Sequence, residues 1–277
     1  MIIEAGQVAV VTGAAQGLGN ALAAEFVDRG VSVVLADTKQ QLLHEAAEEL
    51  AARGGNVLPV VTDVSDVSAV DALAARTLDH FGRVDVVVNN AGIAGGSQPI
   101  WDTDPADWQR VLAVNLLGVV HGIRAFVPHL VRAGTGHVVN IASFAGLMAV
   151  PFGSVYCASK HAVVAISETL RAELDMMGLS IGVTVVCPGL VRTPLSRPML
   201  ALAESSTDAE LSRRLSGRLP APSLEQLRAV TADVIEPDVA AARILAAVEA
   251  DSLYGLTHPD MGGSVRRRLE GILAALG

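Results

Sequence analysis

A doubly wound α/β fold, with about seven parallel strands and helices on both faces, is predicted by three observations. Short runs rich in valine and isoleucine alternate along the chain with longer segments of helical period. Most of those runs, such as Val8–Thr12 and Ser32–Ala36, are almost continuously apolar, the pattern of strands covered on both faces. Small and polar residues gather just after the runs, at Gly13, Asp37, Asp63, Asn89 and Ser143, where such a sheet presents its carboxyl edge.

Taken in order, Val8–Thr12 leads into a helix over Gly17–Arg29, and Ser32–Ala36 into one over Gln40–Arg53. Val57–Val61 precedes a helix over Val67–Phe81, and Val84–Val88 precedes the long apolar pattern Pro105–Arg132. Asp104 is a good start for the latter, an N-cap acceptor followed by proline at the first helical position. Gly136–Ile141 precedes a helix over Ser154–Met177; Ile181–Cys187 follows, and a last short strand lies near Leu253–Leu256. No composition shift or repeat marks a second unit, so residues 1–277 are expected to form one domain. The rhythm breaks once, between Pro194 and Pro237, where Pro198, Pro220 and Pro222 and the cluster Ser205-Ser206-Thr207 fall among helical fragments. A connection that long is ordinarily a lid or an insertion, and a lid is the expectation here.

Composition narrows the function classes. A chain 51% apolar can bury a large core, and a formal charge of −9 argues against nucleic acid, whose binding needs a basic face. The one basic run, Arg266-Arg267-Arg268, sits beside Glu270 in a helical stretch and reads as a solvated face. Cys157 and Cys187 are too few for a disulfide framework and lack metal-ligand spacing, so no metal is expected. The start, Met1-Ile2-Ile3-Glu4, lacks the basic region of a secretory signal. Apolar stretches such as Val138–Phe152 are broken by Asn140 and Ser143 and fall short of the about 20 residues of a bilayer crossing. A soluble cytoplasmic protein that does not engage membrane is the expectation.

The first strand runs into Gly13-Ala14-Ala15-Gln16-Gly17-Leu18-Gly19 and then a helix. Glycines there permit a tight turn and close backbone approach, and a helix start offers free N–H groups to a pyrophosphate. Such turns also close βα units without a ligand, but this one stands on the first strand of a βαβ series. Asp37, after the second strand, is placed to hydrogen-bond the adenosine ribose hydroxyls, or else caps the next helix with Thr38. A carboxylate there repels a 2′-phosphate, which favours NAD over NADP, although Lys39 lies nearby. Asp63-Val64 after the third strand and Asn89-Asn90-Ala91-Gly92 after the fourth complete a cofactor edge.

Tyr156 and Lys160, four residues apart on one helix, share a face. A phenol is too weak an acid to serve as a base at neutral pH. A neighbouring ammonium, with the charge of an oxidised nicotinamide, is expected to favour the phenolate. Ser143 ends the fifth strand, where its hydroxyl can meet a substrate oxygen as charge shifts onto it. Asn115 sits inside the apolar run Val111-Leu112-Ala113-Val114-Asn115-Leu116-Leu117, either as a satisfied core amide or as the holder of a relay water.

These residues together resemble the short-chain dehydrogenase/reductase family, over about Gln7 to Leu256. The matching motifs are Thr12-Gly13-x-x-x-Gly17-x-Gly19, Asn89-Asn90-Ala91-Gly92, Asn115, Ser143, Tyr156-x-x-x-Lys160 and Pro188-Gly189. The resemblance implies a Rossmann fold and an NAD(P)-dependent oxidoreductase. In it Tyr156 is the acid/base, Ser143 orients substrate, Lys160 also holds the nicotinamide ribose, and Asn115 supports the relay. It further implies cofactor contacts at Gly13, Gln16, Gly17, Leu18, Gly19, Asp37, Asp63, Val64, Asn90, Ala91 and Gly92, and at Pro188, Gly189, Val191 and Thr193 near the nicotinamide. The ending Leu253-Tyr254-Gly255-Leu256-Thr257-His258-Pro259 departs from the Asp-Gly-Gly pattern of the family's acyl-carrier ketoreductases. The seven histidines, His258 among them, are read as non-catalytic.

Residues expected at the substrate are Ser143, Ala145, Met148, Phe152, Leu190, Leu195 and Met199, an apolar set suited to a small hydrophobic ligand such as a bulky secondary alcohol or ketone. Steroid, terpenoid and aryl-alcohol substrates fit that expectation. The alternatives are an NADPH-dependent carbonyl or ketoacyl reductase, which Asp37 and Gln16 oppose, and a non-catalytic dinucleotide sensor, which has no use for Tyr156 and Lys160. A homodimer or homotetramer built on the two long helices is expected, since Val119, Val163 and Leu170 spread apolar character around them.

Overall fold

The computed structural model describes residues 1–204, 207, 223–258, 260 and 262–276. Its strands are β1 (Val8–Thr12), β2 (Ser32–Asp37), β3 (Val57–Val61), β4 (Val86–Asn89), β5 (Gly136–Ile141), β6 (Ile181–Cys187) and β7 (Tyr254–Leu256). Its helices are α1 (Gly17–Asp28), α2 (Gln40–Ala52), α3 (Val67–Phe81), α4 (Pro105–Leu112), α5 (Gly118–Ala133), α6 (Ser154–Met176), α7 (Arg197–Ala203), α8 (Leu224–Thr231), α9 (Pro237–Glu249) and α10 (Gly262–Ala274).

The strands form one seven-stranded sheet in the order β3-β2-β1-β4-β5-β6-β7, every pair parallel. Parallel neighbours need crossovers, and the helices between them supply these, α1, α2 and α9 on one face and α3, α5 and α6 on the other. The strand period of two divides β1 between the faces. Ala9 and Val11 join Leu22 and Phe26 of α1, Leu43 and Leu50 of α2, and Ile244 and Leu245 of α9. Val8 and Val10 join Leu73 of α3, Phe126 and Leu130 of α5, and Leu174 of α6 on the other side. Each fully buried Phe or Leu contributes about 1.5–3 kcal/mol, so both faces are firmly held to the sheet. The chain builds outward from β1 to β3, then returns to the far side of β1 with β4. The crevice between the carboxyl ends of β1 and β4 is therefore the topological switch point, where open sheets of this kind bind ligands.

Expected and observed elements agree within a residue or two, with three instructive differences. The long helix over Pro105–Arg132 is interrupted by a π-helical turn at Ala113–Leu117, centred on Asn115. Val119, Val163 and Leu170 do not point outward: all three are buried against the chain's own sheet and neighbouring helix. Helix α9 is not among the expected elements, although its buried row Ala240, Ala241, Ile244, Leu245 and Val248 recurs every three to four residues; it packs on α1.

Pro105–Ala133 is the helical run among the described residues that is long and apolar enough to cross a membrane by length and composition, with mean hydropathy 1.6 over its most apolar window. A third of that window is fully buried; Val114, Ile123, Val127 and Val131 pack partly buried against the core, and Leu117 is exposed. Between Pro194 and Pro237 the described residues form α7 and α8, which pack on each other. Ser205, Ser206, Pro220 and Pro222 lie outside the described residues.

Candidate active site

At the switch point, Thr12 is the hub. Its hydroxyl donates to Val88 O at 3.3 Å and accepts from Asn90 N and Ala91 N at 2.9 and 3.0 Å. The Asn90 amide donates to Thr12 O at 2.8 Å and Gly13 O at 3.2 Å, so this side chain ties β4 to the glycine turn. The turn tolerates no larger residue. Gly13 has φ of 66°, and a Cβ on Gly19 would stand 2.3 Å from Gly13 O. Gln16 takes the N-cap position of α1 with no side-chain cap and no acidic residue in the first turn. The first N–H groups at Gly17, Leu18 and Gly19 are thus available to an anion, as a pyrophosphate site requires.

Asp37 faces this turn. Its Oδ2 accepts from Ala15 N at 3.1 Å and its Oδ1 from Lys39 N at 3.0 Å. It does not cap α2: Lys39 holds the N-cap position, without a side-chain bond. Asp63 is exposed and uses only Oδ1, toward the backbone and hydroxyl of Ser65. Val64 is buried with its Cγ2 against Gly118, where a Cβ would meet it at 2.7 Å, and so seats the start of α5.

The loop after β6 completes the edge. Pro188 O accepts from Phe144 N at 2.9 Å, and Val191 is buried and bridges Ile235. Thr193 lies over the glycine turn, its Cβ and Cγ2 each 3.3 Å from where a Gly17 Cβ would stand. Leu190 is half-buried beside this loop.

Tyr156 and Lys160 lie on the first two turns of α6, below Ser143 at the end of β5. Ser143 is the N-cap of a short 3₁₀ turn over Phe144–Gly146, its Oγ accepting from Ala145 N at 3.1 Å. Its hydroxyl also meets the Tyr156 phenol. Lys160 is buried, its Nζ donating to Ile141 O at 2.9 Å and lying 5.7 Å from the Tyr156 ring centroid. A Cβ on Gly92 would stand 3.5 Å from both that Nζ and Asn115 Oδ1, so the backbone of Gly92 passes close to the cluster.

Burial dominates the electrostatics of this pair in the chain alone. Burial raises the Tyr156 phenol above its ordinary value, and the Ser143 hydrogen bond only partly opposes it. Burial pushes Lys160 down to about 8. The ammonium lies beside the ring and commits a proton to Ile141 O, so in the chain alone it does not bring the phenol into the neutral range. Asn115 is fully buried and its amide is fully used: Oδ1 accepts from Ile93 N at 2.8 Å, and Nδ2 donates to Ile93 O and to Ser159 Oγ at 3.0 and 3.1 Å. The side chain thus anchors the loop after β4 from within a π turn, a feature frequent at functional sites.

Of the residues expected at the substrate, Met148, Phe152 and Met199 are half-buried, Leu195 is exposed and Ala145 is buried. Phe152 holds φ of 62°, strained for an aromatic residue, four positions before Tyr156. Leu200, next to Met199 on α7, is buried within the fold. Among the described residues no group of His, Cys, Asp or Glu could hold a metal ion.

The family model for short chain dehydrogenases matches residues 7–201. The chain is 46% identical over 184 residues to the oxidoreductase EphD of Mycobacterium tuberculosis, which is 66% of this chain but only 31% of that protein. It is 40% identical over 206 residues, 74% of each chain, to 1-deoxy-11-beta-hydroxypentalenate dehydrogenase of Streptomyces exfoliatus. A Burkholderia phymatum short chain dehydrogenase/reductase solved with NAD superposes with TM-score 0.86 at 35% identity, covering 99% of this chain and 97% of that one. A metagenomic short-chain oxidoreductase solved with NADP gives 0.64 at 37% identity, covering 69% and 86%. The fold and the residues at its switch point match the class of short-chain oxidoreductases, of which these two solved relatives carry NAD and NADP. The chain belongs to the short-chain dehydrogenase/reductase family.

Proposed function

We propose that the chain interconverts a bulky hydrophobic secondary alcohol, of steroid, terpenoid or aryl-alcohol type, and its ketone, with NAD as cofactor. The observation that carries the reading is the grouping of the Ser143 hydroxyl, the Tyr156 phenol and the buried Lys160. Gly13 to Gly19 and the uncapped start of α1 suit the pyrophosphate, Asp37 the adenosine ribose, and Thr193 and Gly189 the nicotinamide half. When bound, the dinucleotide accepts a hydride in oxidation and returns it in reduction. Tyr156 takes the proton from the alcohol hydroxyl, and Ser143 hydrogen-bonds the same oxygen as charge gathers on it. Lys160 holds the ribose and supplies positive charge beside the phenol. Deprotonation of Tyr156 favours oxidation, so the oxidation rate rises with pH while the protonated phenol serves reduction at neutral pH.

Apolar side chains at Met148, Phe152, Leu190, Leu195 and Met199 favour a ligand that buries hydrocarbon, in keeping with the relative named for a hydroxypentalenate. Leu195→Ala with Met199→Ala is expected to raise KM for a bulky secondary alcohol about 30-fold, each lost side chain being about 1 kcal/mol of apolar contact, and to leave 2-propanol within about twofold. Initial rates of NADH formation across a size-graded panel check this; KM effects independent of size would sink the apolar pocket.

Assembly as a homodimer or homotetramer is part of the proposal. Exposed Leu117 on the helical run Pro105–Ala133 supports it rather than Val119, Val163 or Leu170. Light scattering at micromolar concentration should return at least twice the 28.6 kDa chain mass, and a monomer would contradict it.

A further inference from the structure

His258, which no motif recommends, joins three parts of the molecule around the candidate cofactor edge. It is buried directly after β7, beside buried Thr257. Its Nε2 lies 3.0 Å from Asp233 O, and a carbonyl can only accept, so Nε2 carries the proton. Nδ1 is then an acceptor, and it takes Gly189 N at 3.2 Å and the Thr257 hydroxyl at 2.8 Å. Gly189 N also reaches Thr257 Oγ1 at 3.3 Å, and Arg243 Nη1 holds Thr257 O at 2.5 Å.

The two backbone partners of the ring, Gly189 N and Asp233 O, lie in connecting loops. Gly189 opens the loop that runs through Leu190, Val191 and Arg192 into Pro194. Asp233 opens the returning stretch that runs through Ile235 to Pro237. The two stretches are themselves paired, Ile235 N donating to Leu190 O at 3.1 Å and Arg192 N to Ile235 O at 2.9 Å, with Arg192 and Glu236 ion-paired at 2.8 Å. The outgoing and returning ends of the Pro194–Pro237 segment thus form one small ladder, and the imidazole ties it to the carboxyl edge of β6.

We propose that His258, as the neutral Nε2–H imidazole, is a positioning residue that sets both ends of this segment relative to Gly189, and through them the surface that Thr193, Leu195 and Met199 present to cofactor and substrate. The effect on ligands rests on the dinucleotide reading above; the clasp itself does not.

Three variants separate the two bonds. His258→Leu removes both. His258→Asn leaves an acceptor where Nδ1 stood and keeps Gly189, whereas His258→Gln leaves a donor where Nε2 stood and keeps Asp233. Hydrogen exchange is followed at the Arg192 and Ile235 amides, with β1 and β5 amides as references, alongside the melting temperature and calorimetric titration with NAD. In His258→Leu, exchange at Arg192 and Ile235 should accelerate about tenfold, the loss of one to two hydrogen bonds, with the references unchanged. NAD affinity should fall about fivefold in the same variant, by the same arithmetic. His258→Asn should restore NAD affinity but not Ile235 protection, and His258→Gln the reverse. Unchanged exchange at the two amides would overturn the clasp, as would acceleration shared equally by β1 and β5, the mark of general destabilisation. Altered exchange with unaltered NAD affinity would overturn the positioning role. An unmutated protein that binds neither NAD nor NADP would refute the cofactor reading, and exchange alone would then judge the clasp.

Discussion

Tyr156→Phe is expected to lower turnover about 10²- to 10⁴-fold, the range a positioned acid or base contributes, while NAD affinity stays within about twofold. The aromatic ring survives the change and so does its packing on α6. Only the hydroxyl shared with Ser143 goes, and with it the group that takes the alcohol proton. Lys160→Ala should differ in kind. Lys160 lies against Ile141 O and beside the Tyr156 ring, so its loss should weaken both dinucleotide binding and turnover. The pH dependence separates them further. Burial holds the phenol above its ordinary value, so oxidation by the unmutated chain should climb through the alkaline range as phenolate forms, and reduction should not. Substantial turnover by Tyr156→Phe in steady-state assays would remove Tyr156 from the chemistry.

Replacing Asp37 is expected to have the second largest effect, on the ratio of efficiencies with NAD and NADP. Two charges about 4 Å apart at an effective dielectric of about 20 interact by about 4 kcal/mol, and solvent at this half-buried site reduces that severalfold. Asp37→Ala should therefore shift the kcat/KM ratio toward NADP by about 10- to 100-fold, and further with Thr38→Arg added. The absolute rate with NAD should also fall, because Asp37 Oδ2 holds Ala15 N in the glycine turn. The ratio is accordingly the readout. A ratio unmoved by the substitution would show that the carboxylate does not face the ribose.

Much of this was readable in the sequence because the governing interactions are local or strongly patterned. Strands buried on both faces must be apolar throughout, so Val8–Thr12 and Ile181–Cys187 announce themselves. A turn with φ of 66° and a 2.3 Å approach admits only glycine, so Gly13 and Gly19 do too. The illegible features depend on partners distant along the chain. The π turn at Asn115 answers to Ile93 and Ser159, and His258 answers to Gly189, 69 residues away. Spacing places Lys160 next to Tyr156 but says nothing of how deeply either is buried, and burial sets both of their proton affinities. Likewise the apolar character of Val119, Val163 and Leu170 cannot tell the chain's own sheet from a partner's surface.

The central claim is tested most directly by initial rates of dinucleotide reduction when the unmutated protein is offered a bulky hydrophobic secondary alcohol with NAD and, separately, with NADP. The account predicts NADH formation with ketone produced in equal amount, a rate that rises with pH, and a higher kcat/KM with NAD. Failure of every alcohol in a steroid, terpenoid and aryl panel to reduce either dinucleotide, or higher efficiency with NADP, would contradict it.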